Sequence, residues 1–244
     1  MKIESQQNLF PQSKSQAYWP SRNEALQKFQ NFNPSQYAKT RNFLNGHISQ
    51  MSPQIRHGVI QNRELLNIIQ GKFNFVESEK FIQELAWRDF WRSYAYQHPN
   101  ELWVDVEDYK TGFTSSDYQD SLPDDIARGE TSTQVINYFI QELTQTGYLH
   151  NHARMYVASY VVHFRRVKWQ AGAKFFLTHL LDGDIASNNF SWQWIASTFA
   201  GKPYIFNLEN VKKYCHQTLS IDPQQNLEID GSYEEISTRL FPNL

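Results

Sequence analysis

From residue 132 onward the apolar positions recur at the period of a helix. In "STQVINYFIQELTQTG" Val135, Ile136, Phe139, Ile140 and Leu143 fall three and four residues apart, Ser132 or Thr133 stands where a cap is needed, and Gly147 where the helix must stop. This spacing predicts an amphipathic helix. The following "HARMYVASYVVHFRRVKW" is apolar on nearly every side through its middle, the mark of an interior helix surrounded by others. "ESEKFIQELAWRDFWRSYAYQHP" predicts a third long helix, stopped by Pro99, and "SYEEISTRLF" a closing one. Alternating strand patterns joined by Asn-Gly or Asp-Gly turns do not occur, so the expected fold class is all-α, a helical bundle. The acidic stretch from Asn100 to Glu130, rich in Ser, Asp and Tyr, reads as a long irregular connection, a kind of segment that often carries function. Neither a repeat nor a linker interrupts the pattern, and a single domain over residues 1–244 is expected.

Composition changes this picture in one respect. A hydrophobic fraction of 40% over 244 residues is ordinary for a globule with one large core or two small ones, but the aromatic fraction of 15% exceeds what packing alone needs. Aromatic rings also serve as stacking platforms and redox groups. One cysteine, Cys215, excludes an internal disulfide framework and a four-cysteine metal site, suits a reducing compartment, and reads as a buried structural thiol. The chain has no apolar run of the ~20 residues a membrane span needs, and its polar start lacks the features of a signal peptide; a cytoplasmic, non-membrane protein is expected. The net charge of -2 gives no global attraction to nucleic acid. The segment from Leu143 to Leu181 nevertheless holds no Asp or Glu while carrying Arg154, Arg165, Arg166, Lys168 and Lys174. It forms either a local basic face or helix surfaces balanced by acids from elsewhere.

Three constellations carry chemistry. In "NGHISQMSPQIRHGV", Ser52 before Pro53 reads as an N-cap with proline at the first helical position, and the free amides beside Ser49 and Ser52 would make either an ordinary cap or an anion cradle. Glu84, Trp87, Arg88 and Trp91 share one helix face, which suits a flat aromatic ligand or an intrahelical ion pair flanked by core tryptophans. In "LLDGDIASNNFSWQWIASTF", Asp182 and Asp184 flank Gly183 at a break between helices, and Asn188 lies one turn beyond Asp184. Buried carboxylates need partners, and Arg154 on the interior helix is the cation to neutralise one of them. The turn supplies too few oxygen ligands for a hard cation, so no metal is expected.

These residues carry a resemblance. "TGYLHNHARMYVASYVV" followed by a tryptophan, then "LLDGDIASNNFSWQWIASTF" and "KPYIFN", resembles in order and spacing the FAD-binding helical domain of the DNA photolyase and cryptochrome family over Thr146 to Asn207. Upstream, "ELAWRDFW" resembles that family's Glu-Leu-x-Trp-Arg-x-Phe helix, and "YAKTRNFLNGHISQMSPQIRHGVI" its phosphate-binding segment, so the likeness spans roughly Ala25 to Asn207 and leaves 208–244 as an extension. The resemblance implies FAD as cofactor. Tyr37, Ser49, Met51 (through its backbone) and Ser52 would face the FAD phosphates with Arg88 close by, Asp182 and Asp184 would hold the ribose and ring system, Arg154 would pair with Asp182, and Asn188 would face the reactive ring nitrogen. Trp192 and Trp169 match the first two members of the family's electron-transfer chain, and Glu84, Trp87, Asn151 and Met155 would line the cavity that takes a flipped pyrimidine dimer.

Departures accompany the matches. Ser116 stands where the outermost tryptophan of the chain is usual, so the relay ends at a nearby tyrosine such as Tyr118 or is broken. Gly-Tyr-Pro-x-x-Asp-Ala is replaced by "STQVINY", which turns the acid into Asn137, and Ile48 replaces a phosphate-contacting threonine. His152 occupies a position where many photolyases place an arginine on the DNA backbone. The expectation is a flavin domain standing alone, without the N-terminal α/β antenna domain. Two functions remain open: a flavoenzyme that uses light to pass an electron to pyrimidine dimers in single-stranded or dimer-containing DNA, and a non-repair blue-light sensor or flavin-binding interaction module working with a separate antenna or signalling protein.

Overall fold

The computed structural model describes residues 20–215 and 218–244. Among these the architecture is helical, with one isolated bridge, Gln119 to Val167, in place of any sheet. The N-terminal part runs α1 (Arg22–Phe29), α2 (Pro34–Thr40), α3 (Ser52–Arg56), α4 (Asn62–Gln70) and the 23-residue α5 (Phe75–Gln97). After the connection come α6 (Asp124–Arg128), α7 (Gln134–Thr146), α8 (Asn151–Ser159), α9 (Trp169–His179), α10 (Ile185–Ala196), α11 (Leu208–Cys215) and α12 (Tyr233–Leu240).

The predicted helices form, although the N-cap of α7, Thr133, makes no side-chain capping bond. In α7, Val135, Ile136, Phe139, Ile140 and Leu143 are all buried, and Gly147 ends the helix in the left-handed conformation at φ 71°. Any side chain there would also collide with Leu181, whose N–H donates to the Gly147 carbonyl at 2.8 Å. Helix α5 starts earlier than its apolar pattern suggests because Asn74 and Glu77 form a reciprocal capping box, and it stops before Pro99. Helix α8 is interior as expected; it continues through one wide π-type turn, Tyr160–Phe164, and ends where Arg166 adopts φ 47°. The closing helix is α12, capped by Ser232 and Glu235.

Two apolar clusters result. The larger joins α7, α8, α9, α10 and α11 around Phe139, Tyr156, Trp169 and Phe206; the smaller joins α1 to α5 around Phe29, Met51, Leu65 and Phe81. Helices α9 and α10 pack on each other, and α10 also meets α5 and α8. They approach closely at Gly172 on α9, where an ideal Cβ would sit 2.2 Å from the Trp192 ring.

Two expectations need correction, and one alternative left open is decided. Ser52 is not an N-cap; the cap is Met51, which makes no side-chain bond, and Ser52 is the first helical residue with Pro53 behind it. The serine's own backbone is already helical, so its hydroxyl is turned to other partners. The stretch from Asn100 to Glu130 is irregular but includes α6, and backbone bonds such as Glu107 N–H to Thr198 O (2.9 Å) and Gln119 N–H to Arg166 O (2.8 Å) fasten it to the bundle. The acid-free segment is no free basic face either. Arg165 makes a two-pronged bond to Asp125 (2.7 and 3.2 Å), Lys168 meets Asp120 at 2.6 Å, and the Arg166 guanidinium lies 3.5 Å over the Phe113 ring.

Two core histidines make stability depend on pH. His163 (2% exposed) bonds the Ile195 carbonyl at 2.8 Å, and burial, foremost, drives both its pKa and that of His150 down to about 4. With the folded values below the unfolded value of ~6.5, the unfolded chain binds the proton first as pH falls, so stability drains away between pH ~6.5 and ~4. Each histidine is expected to cost about 2 kcal/mol between pH 7 and 5. Urea denaturation at the two pH values measures this, and His163→Gln should remove about half of the loss. Equal stability at both would contradict it.

Candidate functional site

A cavity of 640 Å³ opens between the two clusters, within the size range of pockets for large organic ligands. Its walls are α2 and α3 on one side, the middle of α5 on a second, the start of α8 on a third, and the 182–184 turn with α10 on the fourth. The turn is where the chemistry gathers. Asp184 caps α10 by accepting the Ser187 N–H at 3.1 Å, which aims the rest of its carboxylate at the cavity wall.

Each aspartate has a different environment. Asp182 Oδ2 accepts from Arg154 Nη2 at 2.8 Å, and Arg154 Nε donates to the Leu149 carbonyl at 2.8 Å. Burial works to raise the Asp182 carboxyl, yet the charge and hydrogen bond of Arg154, with the Ser52 hydroxyl, hold it below its ordinary value. It is therefore an anion at neutral pH. Asp182 Oδ1 has no partner although it is buried. Asp184 Oδ2 instead collects three cations: Arg92 Nε at 3.2 Å, Arg88 Nη2 at 3.3 Å and Arg56 Nε at 3.9 Å. Three guanidiniums around one carboxylate leave this wall positive. Burial first, and then Arg92 and Arg56 against the opposing pull of Asp184, press the Arg88 pKa below its usual value. Such a wall favours an anionic ligand and repels a metal ion; among the described residues no three His, Cys, Asp or Glu side chains converge.

The same helix, α5, also contributes an aromatic rim. Trp87 stacks on Trp91 (5.7 Å, 25°), which stacks in turn on Phe190 (5.3 Å, 20°). Trp87 and Trp194, 44% and 43% exposed, stand at the mouth. Glu84 pairs with Arg41 at 3.3 Å and Lys80 at 2.8 Å. The intrahelical partner open to it in the sequence, Arg88, turns to Asp184 instead. Tyr37 packs edge-on against Phe81 at 5.5 Å, and burial foremost, with Glu84 nearby, pushes its hydroxyl up to about 12.

The structure brings the sequence-derived candidates together. Tyr37, Ser49, Met51, Ser52, Glu84, Trp87 and Arg88 line the cavity from the N-terminal side; Asn151, Arg154, Met155, Asp182, Asp184, Asn188 and Trp192 line it from the other. Trp169 is the exception. It is fully buried one layer behind the wall, near Trp192, which packs over Gly172 one turn along α9. Asn188 uses its Nδ2 on the Ala173 carbonyl (3.1 Å) and on Asn189 Oδ1 (3.0 Å). His152 is buried and bonds the Asn42 carbonyl at 2.7 Å, stacked on Tyr156 at 4.5 Å.

Sequence reading missed four contributors. Arg92 follows Arg88 by one turn, so the helix period could have revealed it; Arg56 carried no such signal, since its approach to Asp184 spans 128 positions. His150 and Ser187 also line the cavity. The His150 Nδ1 accepts the His152 N–H at 3.1 Å, which places the neutral ring's proton on Nε2, and both that Nε2 and Ser187 Oγ are buried without partners.

Comparison with known proteins agrees with this geometry. The model of the FAD binding domain of DNA photolyase matches residues 81–227. A deoxyribodipyrimidine photo-lyase from Streptomyces griseus is 33% identical over 62% of this chain and 32% of its own length, and a cryptochrome DASH from Idiomarina loihiensis is 31% identical over 67% and 38%. The chain thus spans about a third of the length of these curated relatives. The crystal structure of an archaeal photolyase from Sulfolobus tokodaii with two FAD molecules superposes with a TM-score of 0.65 at 29% identity, covering 87% of this chain and 46% of that one. A polar, cation-walled cavity in an all-helical bundle, and a family match over more than half of the residues, lead to one assignment: the chain belongs to the family of DNA photolyase FAD-binding domains.

Proposed function

We propose that this FAD-binding domain carries out light-driven electron transfer, with pyrimidine dimers in single-stranded DNA as the electron acceptor. The cavity's own chemistry fits the cofactor: a buried acceptor (Asp182 Oδ1), a buried donor (His150 Nε2) and a buried hydroxyl (Ser187 Oγ) have no protein partner. Buried polar groups without partners are costly, and a dinucleotide with hydroxyl, amide and phosphate groups satisfies all three kinds. The single observation that carries the reading is the Arg154–Asp182 pair, held at 2.8 Å with one carboxylate oxygen left over at the wall.

When bound, FAD supplies a chromophore that exchanges single electrons under blue light. The chain's residues bind, orient and shield it. Ser49, Ser52, Tyr37 and the Met51 backbone would meet the phosphates, with Arg88 adding the charge that anionic groups require. Asp182 and Asp184 would hold the ribose and ring system, and Asn188, which also lines the cavity, would face the reactive ring nitrogen. Trp192 and Trp169 would return electrons from the protein side, while Glu84, Trp87, Asn151 and Met155 would line the space for an extruded pyrimidine dimer of the substrate.

Pairing of the basic residues and burial of His152 speak against a strong grip on nucleic-acid phosphates. The same observation favours a second reading, a flavin-based light sensor that acts on a separate antenna or signalling protein. Either role suits a cytoplasmic setting, where the buried Cys215 thiol stays reduced. Illumination of the reduced, FAD-loaded chain with dimer-containing single-stranded DNA separates the two: dimers lost in light and kept in darkness support repair. Dimers unchanged in light, with FAD bound and photoactive, overturn it in favour of sensing.

A further inference from the structure

The connection between α5 and α6 carries an acid that neither the cofactor cavity nor the family resemblance uses. Asp105 Oδ1 accepts the Trp169 indole N–H at 2.6 Å and the Gln170 side-chain amide at 3.1 Å. Its position is fixed by its neighbours: the Val106 N–H donates to Gln193 Oε1 (3.1 Å) and the Glu107 N–H to the Thr198 carbonyl (2.9 Å). Trp169 itself is fully buried, so this carboxylate is the indole's only polar outlet among the contacts described. A short bond from a neutral N–H to a carboxylate is a proton-transfer geometry once the indole becomes a strong acid. Loss of an electron makes it one.

We propose that Asp105 is the proton acceptor of the tryptophan relay and stops the electron hole at Trp169. This rests on the reading of Trp192 and Trp169 as the relay to the cofactor. Trp192 gives one electron to the photoexcited, oxidised cofactor, and Trp169 refills Trp192. The indole proton of Trp169 then moves to Asp105, leaving a neutral tryptophan radical and a neutral carboxylic acid. An external thiolate closes the cycle: it returns one electron to Trp169, Asp105 returns the proton, and a thiyl radical leaves.

The surroundings explain why the hole goes no further. Trp103 stacks parallel to Trp169 (6.3 Å, 6°) and is the geometric next step, but Lys174 Nζ sits 5.5 Å from its ring centre and opposes a positive charge there. Tyr109 and Tyr118 stack on each other at 4.3 Å, and a phenol gives up an electron readily only with its proton. The Tyr118 hydroxyl meets the Thr111 hydroxyl (2.9 Å) and the Tyr109 hydroxyl has no side-chain partner, so although the Asp105 charge bears on both, neither is hydrogen-bonded to a base. The usual outer position is Ser116, whose hydroxyl bonds Thr114 at 2.8 Å. Of the aromatic groups around Trp169, the one joined to a carboxylate is Trp169.

The test is flash transient absorption of the FAD-loaded full chain, comparing the wild type with Asp105→Asn, Trp169→Phe and Trp192→Phe. The wild type should form a neutral tryptophan radical, more slowly in D2O. Asp105→Asn should hold a radical cation and recombine about tenfold faster, the scale of one charge-assisted hydrogen bond. A wild type that shows only the cation and no solvent isotope effect overturns the role of Asp105, provided Trp192→Phe blocks photoreduction. Unchanged photoreduction in Trp192→Phe fails the relay reading itself. A second readout needs no cofactor: in the apo chain the Trp169 indole N–H resonance, assigned by its loss in Trp169→Phe, should lie downfield and exchange slowly, and should move in Asp105→Asn. An ordinary, fast-exchanging resonance overturns the hydrogen bond on which the proposal stands.

Discussion

Asp182→Ala is expected to yield a folded chain that cannot retain FAD. The substitution removes the carboxylate that neutralises Arg154, whose Nε stays tied to the Leu149 carbonyl and cannot follow into solvent. Breaking one partner out of a buried pair costs about 3–5 kcal/mol, equivalent to about two to four powers of ten in affinity. It also deletes the buried oxygen that awaits a ligand donor. Asp182→Asn, which keeps the shape but not the charge, should fall between the two. Flavin content of the purified variants by absorption, with circular dichroism to verify the helical fold, measures the effect; a fully loaded Asp182→Ala protein would refute the assignment of this wall.

Trp192→Phe should separate cofactor binding from photochemistry. Trp192 is buried where the cavity meets α9, edge-on to Phe176 at 4.9 Å and against Gly172. Phenylalanine fills most of this space, so the stability loss should stay at about 1–2 kcal/mol and FAD should remain bound. Phenylalanine is far harder to oxidise, and photoreduction should slow about tenfold or more, that is by at least about 1.4 kcal/mol in the effective barrier. Steady blue illumination with an added thiol follows the bleaching of the flavin band. An unchanged rate would remove Trp192 from the relay.

How much of this was legible in the sequence differs between elements. Helix α7 was readable through its apolar spacing and its glycine stop because both are local signals, whereas the side-chain cap expected at its start is not made. So was the interior nature of α8, where apolar residues on all faces leave no solvent side. The pairing of Arg154 with Asp182 followed from the physical need to neutralise a buried carboxylate. Ser52 was misplaced by one residue because a Ser-Pro pair fits both cap and first-turn positions, and only the backbone angles decide. The basic segment stayed open between two readings because its counter-charges, Asp120 and Asp125, lie 40 and more positions away on the connection. Asp105 was invisible for that reason too. It sits in an irregular stretch where no periodicity says which way a side chain points, and its partner Trp169 is 64 residues on.

The central claim is that the polar groups gathered between the two helical clusters exist to hold one flavin dinucleotide. Expression with ample riboflavin, followed by gel filtration and release of bound nucleotide for quantitation, tests it most directly. The account predicts about one FAD per chain, released on denaturation and bound again on refolding with FAD. A folded chain that emerges colourless and takes up no FAD when the nucleotide is added in excess would contradict it.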